Sequence, residues 1–335
     1  MRHLLESLAA LGAALVVSGV IVLLSGGNPL IAFGALAEGA FGSLDGLSEV
    51  AVKTCPLLLT GLAITVAFRA GAWNIGAEGQ LVLGGMAMAI FGTRLDMLPG
   101  ALALVLCLLA AAFAGAAWAA IAALLKVYRN VNEIISTIML NFIALYLVGY
   151  FVQGPFMEAG GRYPQTDAIS AALWMPRLSP YRIHLGLVFG VMLAAAAQFL
   201  LYRTVVGYEM RAAGLNRGAA HLAGIDVNRR LLLALLISGA LAGFAGAVEV
   251  SAITRRMYEN FSPGWGFTAI AVALLGRLNP LGIVVAAFFF GALDAGSNAM
   301  QRSAGVSSVL VSVIQATVIL FLLLLDRRRA GERIA

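Results

Sequence analysis

The chain has 335 residues, of which 61% are apolar and only 11% charged, against roughly 25% charged in an ordinary soluble domain. Its apolar residues fall in runs too long for a water-soluble core of this size to hide, which excludes a soluble globular protein. The net charge of +6 does not point to nucleic acid: basic residues sit between apolar runs, where membrane orientation places them, and no stretch mixes arginines with exposed aromatics.

Residues 8–24 and 307–325 carry no charge, and each is close to the ~20 residues that a bilayer-spanning helix needs. Arg2 and His3 precede the first of these runs. The run is longer than the core of a secretory signal and no small-x-small site follows it closely, so a retained first helix is expected. Periodicity and punctuation predict an all-α, polytopic bundle of about ten helices. The expected spans are 8–25, 50–69, 75–93, 98–125, 134–152, 183–202, 231–250, 266–276, 281–298 and 307–325. Asn28-Pro29, Pro99-Gly100, Gly154-Pro155, Pro263-Gly264 and Asn279-Pro280 mark gaps. The span 266–276 is too short to cross alone, which makes 264–282 a candidate broken-helix region inside the bundle. Residues 1–335 then form one transmembrane domain.

Ten spans return both termini to one side. With that side cytoplasmic, the inner segments hold 14 of the 22 basic residues: Arg2, Arg69, Lys126, Arg129, Arg203, Arg211, Arg217, Arg229, Arg230, Arg277, Arg327, Arg328, Arg329 and Arg333. The excess of positive charge predicts cytoplasmic termini. Two hydrophilic segments interrupt the pattern: an external loop, 153–182, with Pro155, Pro164, Pro176 and Pro180, and an internal loop, 203–230, with five arginines. A faint internal echo is also present. Ala63-Ile64-x-Val66-Ala67 recurs as Ala269-Ile270-x-Val272-Ala273, and Gly76 matches Gly282 at the same offset of 206.

Catalytic chemistry finds no support. His3, His184 and His221 lie in separate segments, Cys55 and Cys107 lie apart in apolar sequence, and no metal or nucleophile motif occurs. No phosphate-cradling loop is present, because neither lysine follows a glycine. Energy for transport therefore comes either from a partner that hydrolyses ATP or from an ion gradient.

The stretch Trp73-Asn74-Ile75-Gly76-Ala77-Glu78-Gly79-Gln80 places three hydrogen-bonding side chains between apolar runs. Such groups are costly at membrane depth unless they face water or one another. Either they line a polar solute path, or they form a tight turn in which Glu78 answers Arg69. Asn141, Gln198, Glu249, Asp294, Asn298 and Gln315 are further polar groups inside apolar runs, and serve either as interhelical glue or as solute contacts. Trp265 and Phe267, beside Pro263, Gly264 and Gly266, suit either a ring-stacking surface or an interfacial aromatic belt. In the internal loop, Asn216 is a plausible N-cap for a short helix with apolar positions Ala219, Leu222, Ala223 and Ile225. That helix either docks in a partner's groove or lies on the bilayer.

The segment 207–225 and the Gly/Ala-rich span Ser238-Gly239-Ala240-Leu241-Ala242-Gly243-Phe244-Ala245-Gly246 together resemble the permease family of ABC importers for ribose, branched-chain amino acids and nucleosides. The resemblance runs from about residue 50 to 325. Asn74-Ile75-Gly76-Ala77-Glu78-Gly79-Gln80 and Val131-Asn132-Glu133-Ile134-Ile135-Ser136-Thr137-Ile138-Met139-Leu140-Asn141 are similar to the nucleoside or simple-sugar branch, and within it to the larger of two unlike paired permeases. The resemblance implies a permease subunit of the bacterial cytoplasmic membrane with no catalytic residue and no cofactor of its own, ATP-Mg being bound by a partner ATPase. It also implies a second, non-identical permease and an extracytoplasmic solute-binding protein, periplasmic or a lipoprotein. The ATPase contact falls on 207–225, with Arg211, Gly214, Asn216, Ala219, Ala220 and Gly224. The expected substrate path comprises Asn74, Glu78, Gln80, Asn141, Trp265 and Asn298. One departure is Gly276-Arg277-Leu278-Asn279-Pro280, where ribose permeases are glycine-rich. Rival cargoes are a sugar or a branched-chain amino acid, and the rival class is an ion-coupled secondary transporter.

Overall fold

The computed structural model describes residues 2–95, 97–178, 180–307, 309–317 and 320–321. Among them the regular structure is helical, in the order α1 (Arg2–Leu24), α2 (Pro29–Phe41), α3 (Leu44–Arg69), α4 (Ala77–Gly92), α5 (Gly100–Arg129), α6 (Glu133–Gln153), α7 (Leu185–Arg203), α8 (Val205–Leu215), α9 (Arg217–Leu222), α10 (Val227–Glu249), α11 (Trp265–Leu275) and α12 (Pro280–Ala304). A 3₁₀ turn, Ala171–Leu173, precedes α7, and a π turn, Val250–Thr254, prolongs α10. Helix resumes over 309–317. The expected spans therefore coincide with α1, α3 to α7 and α10 to α12, and the last with 309–317. Residues 308, 318–319 and 322–325 of that last span, and the arginines at 327–329 and 333, lie outside the described residues.

Helix α2 was not expected. Asn28-Pro29 is a helix start, with Asn28 Oδ1 accepting the N–H of Leu30 at 2.9 Å and Pro29 in the first turn, where its missing donor costs nothing. Asn279-Pro280 opens α12 in the same way, Asn279 Oδ1 accepting from Leu281 and Gly282. In α3, Pro56 sits inside the helix, and the hydroxyl of Thr60 donates to the Pro56 carbonyl at 2.6 Å.

Among the described residues, six helices are long and apolar enough to cross a membrane: α3, α5, α6, α7, α10 with its π turn, and α12. Of the most apolar stretch of α3, 94% is buried within the chain, against 28% for α5 and α7. Helix α3 is therefore central, while α5 and α7 turn much of their surface outward. Small residues bring backbones together around this centre. A Cβ on Gly239 or Gly243 of α10 would meet the carbonyl of Gly115 or Ala111 of α5, and one on Gly246 would meet the Leu81 carbonyl of α4.

The internal echo extends to hydrogen bonds. Helix α3 ends with Gly71 N–H donating to Phe68 O and Ala72 N–H to Ala67 O, both at 3.0 Å. Helix α11 ends with Arg277 N–H donating to Leu274 O (3.0 Å) and Leu278 N–H to Ala273 O (2.9 Å). All four positions correspond at the offset of 206. Gly71 (φ 73°) and Arg277 (φ 56°) are both left-handed, the conformation that a helix-ending turn of this type needs.

Candidate functional site

Helices α4 and α11 have 16 and 11 residues, or ~24 and ~16 Å at 1.5 Å per residue, short of the ~30 Å hydrocarbon core. Their N-termini meet. Glu78, second in α4, accepts the N–H of Gly266, second in α11, at 2.6 Å, and the Ser262 hydroxyl and Gly264 N–H also reach its carboxylate. A Cβ on Gly266 would fall within the Glu78 backbone, so only glycine permits the approach. Two positive helix ends thus converge on one carboxylate, the charge that such ends favour. Arg69 does not pair with Glu78. Its guanidinium donates to the Leu278 carbonyl at 2.7 Å and to the Arg277 carbonyl at 3.0 Å, joining the two echoed turns.

The other polar groups of this stretch satisfy one another. Asn74 Nδ2 donates to Gln80 Oε1 (2.9 Å) and Ser238 Oγ (2.8 Å), while Gln80 Nε2 and Gly76 N–H return bonds to Asn74 Oδ1. From α6, Asn141 donates to Ile75 O (2.8 Å) and accepts from Gly79 N–H (2.9 Å), and Thr137 Oγ1 accepts from Ile75 N–H. Asn74, Glu78, Gln80 and Asn141 are at most 2% exposed. Trp265 is buried at the α11 start beside Glu78's partner Gly266, with its ring 6.0 Å from that of Phe261. The structure thus joins five of the six expected path residues in one junction. Asn298 is exposed on α12, and none of these bonds reaches it. Ser238 and Thr137 lie inside motifs quoted above without standing out as site residues, and Ser262 lies in none; their place in the junction shows only through tertiary contact.

At the Arg69 end lies the segment 203–230. Asn216 closes α8 and caps α9, its Oδ1 accepting from Ala219 N–H at 3.0 Å. Ala219, Leu222 and Gly224 are exposed and Ala220 is buried. Arg211 donates to the Leu201 carbonyl and lies over the Tyr202 ring. A Cβ on Gly214 would overlap the Arg69 carbonyl, and Arg217 donates to the Gly71 carbonyl at 2.8 Å and lies 3.7 Å from Glu133. The segment therefore rests on the turn that ends α3.

At the opposite end, the segment 153–182 is laced to the residues after α10. Thr166 N–H donates to Met257 O (2.8 Å), Ile169 N–H to Arg255 O (2.9 Å), and Arg256 pairs with Glu158 at 3.2 Å.

The sequence that forms this helical core matches a known permease family. The model for the permease component of branched-chain amino acid transport systems matches residues 46–324. The chain belongs to this permease family. The permease is 37% identical to a glucose ABC transporter permease of Haloferax volcanii, over 93% of this chain and 84% of that protein. It is 35% identical to a guanosine ABC transporter permease of Bacillus subtilis, over 96% and 93%, and 30% identical to a nucleoside ABC transporter permease of Lactococcus lactis, over 96% and 91%. It is an integral membrane protein and a transport subunit, not an enzyme.

Proposed function

We propose that this permease moves nucleosides across the cytoplasmic membrane as one subunit of an ATP-driven importer. The observation that carries the reading is the near full-length match, in both chains, to guanosine and nucleoside permeases, where the glucose permease is matched over less of its length. That glucose permease has the higher identity, which favours simple sugars as the second reading.

In this reading the chain crosses the membrane ten times with both termini cytoplasmic, α4 and α11 each crossing together with the irregular chain that precedes it, and α2 is an additional short helix. The exposed face of α9, with Asn216, Ala219 and Gly224, receives the ATPase, which binds ATP-Mg. A second, non-identical permease completes the pore, and the laced segment 153–182 receives the solute-binding protein. The junction of Asn74, Glu78, Gln80, Asn141 and Trp265 is the closed inner section of the solute path. Arg69 and Arg217 link it to the ATPase end, because α9 rests on the α3 turn and that turn is tied to the end of α11. ATP binding then has to favour one arrangement of this linkage by only a few kcal/mol.

The test is reconstitution of the permease with its ATPase, second permease and binding protein in proteoliposomes. ATP-dependent accumulation of labelled guanosine is expected. Accumulation of glucose alone would shift the assignment to sugars, and uptake by the permease alone under a proton or sodium gradient would remove ATP coupling.

A further inference from the structure

A cavity of about 270 Å³ opens between Val82 of α4, the middle of α6 and the chain after α10, close to the lower end of the ~300–1,000 Å³ usual for small-molecule pockets. Rings dominate its walls: Phe142 and Tyr146 from α6, Tyr258 and Phe261 opposite. Phe142 and Tyr146 are 50% and 78% exposed, so two flat faces stand open at membrane depth. Two polar side chains, Glu259 and Asn260, complete the rim, and both are exposed.

The carboxylate is oriented. Gln153 Nε2 donates to Glu259 Oε2 at 2.9 Å, while Oε1 faces Gly149, a residue with no side chain to cover it. Glu259 N–H donates to the Pro164 carbonyl and Tyr258 pairs with Gln165, so this wall belongs to the laced segment 153–182. The cleft also leads inward. Tyr258, Phe261 and Trp265 form a ladder of edge-to-face rings with centroids 5.8 and 6.0 Å apart, ending at the helix start where Gly266 meets Glu78. Val82 in the cavity wall lies one turn beyond Glu78, and Phe142 follows Asn141.

We infer that this cleft is a solute subsite on the outer part of the path, which holds a nucleobase stacked on the α6 rings while Glu259 accepts adjacent N–H donors from its edge. Every base offers a π face, so stacking tolerates many bases. A carboxylate accepts hydrogen bonds only, so the site favours a base whose edge presents two neighbouring donors, as guanine does. Asn260 supplies the complementary donor for a ring carbonyl. The inference rests on the nucleoside reading above and adds to it the place and the chemistry of recognition.

The test uses the full complex in proteoliposomes, with labelled guanosine for uptake and 8-azidoguanosine for photolabelling. Tyr146→Ala and Glu259→Gln are each expected to lower guanosine uptake at least ten-fold, whereas Tyr146→Phe, which keeps the ring, retains most of it. The photolabel is expected on 142–150 or 258–261 and to be displaced by unlabelled guanosine. Uptake at the unaltered rate in both variants, or labelling elsewhere alone, would overturn the subsite and leave the nucleoside assignment standing. If Tyr146→Ala no longer co-purifies with the second permease, the ring is a subunit contact and the inference fails. Absence of guanosine uptake by the unaltered complex would remove the nucleoside reading first, and the subsite with it.

Discussion

Glu78 and Gly266 join the N-termini of two short helices through a single 2.6 Å hydrogen bond, at a point where the two backbones touch. The carboxylate accepts from three donors, and the charge opposes two positive helix ends. Glu78→Gln keeps the shape but removes the charge and turns an N–H₂ group towards N–H donors. A hydrogen bond to a charged group is worth about 1.5–3 kcal/mol, so a fall of several degrees in the thermal midpoint of the detergent-solubilised protein is expected. Arg69→Gln should destabilise independently, because Arg69 holds the carbonyls of residues 277 and 278. The double variant is therefore expected to show the sum of the two losses. A double variant no worse than either single one would restore a direct Glu78–Arg69 pairing.

A second prediction separates docking from folding in the segment 203–230. Ala219 is exposed, and its side chain has no buried partner to lose. Ala219→Glu should therefore insert at normal yield and abolish the ATPase stimulation produced by the loaded binding protein. Gly214→Glu should instead lower the yield, because any side chain there overlaps the Arg69 carbonyl. Normal stimulation in Ala219→Glu would remove α9 as the ATPase contact.

Much of this arrangement was legible in the sequence, and the failures have local causes. Long apolar runs gave the spans because burial or lipid is their only stable environment, and the short run at 266–276 was readable as a half-helix for the same reason. Helix α2 was missed because Asn28-Pro29 looks like a break, although a capping Asn followed by Pro is equally a start. Asn74, Gln80 and Asn141 stood out as polar groups among apolar ones, and the structure makes them partners. Glu78 was expected opposite water, one of its polar neighbours or Arg69. Its actual partners are the Ser262 hydroxyl and the N–H groups of Gly264 and Gly266, the last 188 residues away, which no local pattern encodes. Asn298 was chosen by the same polarity argument and lies on an exposed face of α12, outside the bonded junction.

The α10 seam gives a third prediction. Gly243 packs where a Cβ would meet the Ala111 carbonyl and the Gly115 backbone. Gly243→Val should separate α10 from α5 and sharply reduce the folded yield, measured by size-exclusion profile after solubilisation. Gly34, with open space around it, should accept Ala without loss. A normal profile for Gly243→Val would mean that the helices are less closely packed than their backbones indicate.

The last prediction concerns orientation, which rests on the distribution of basic residues alone. Thr166 lies in the expected external loop but is a poor reporter, being 3% exposed with its hydroxyl accepting from Met257 N–H and donating to Asp167 O. A cysteine there would be shielded whichever side it faced. Arg162, in the same loop, is exposed, and so is His221 in α9. The native Cys55 and Cys107 are buried and free, so background labelling should be low. Arg162→Cys should react with a membrane-impermeant maleimide in intact cells. His221→Cys should react only after the membrane is opened. If both patterns were reversed, the termini would face outward and α9 would lie on the wrong side for an ATPase. If both cysteines reacted from the same side, the number of crossings between α6 and α9 would be even instead of odd, and α7 could not be a single span.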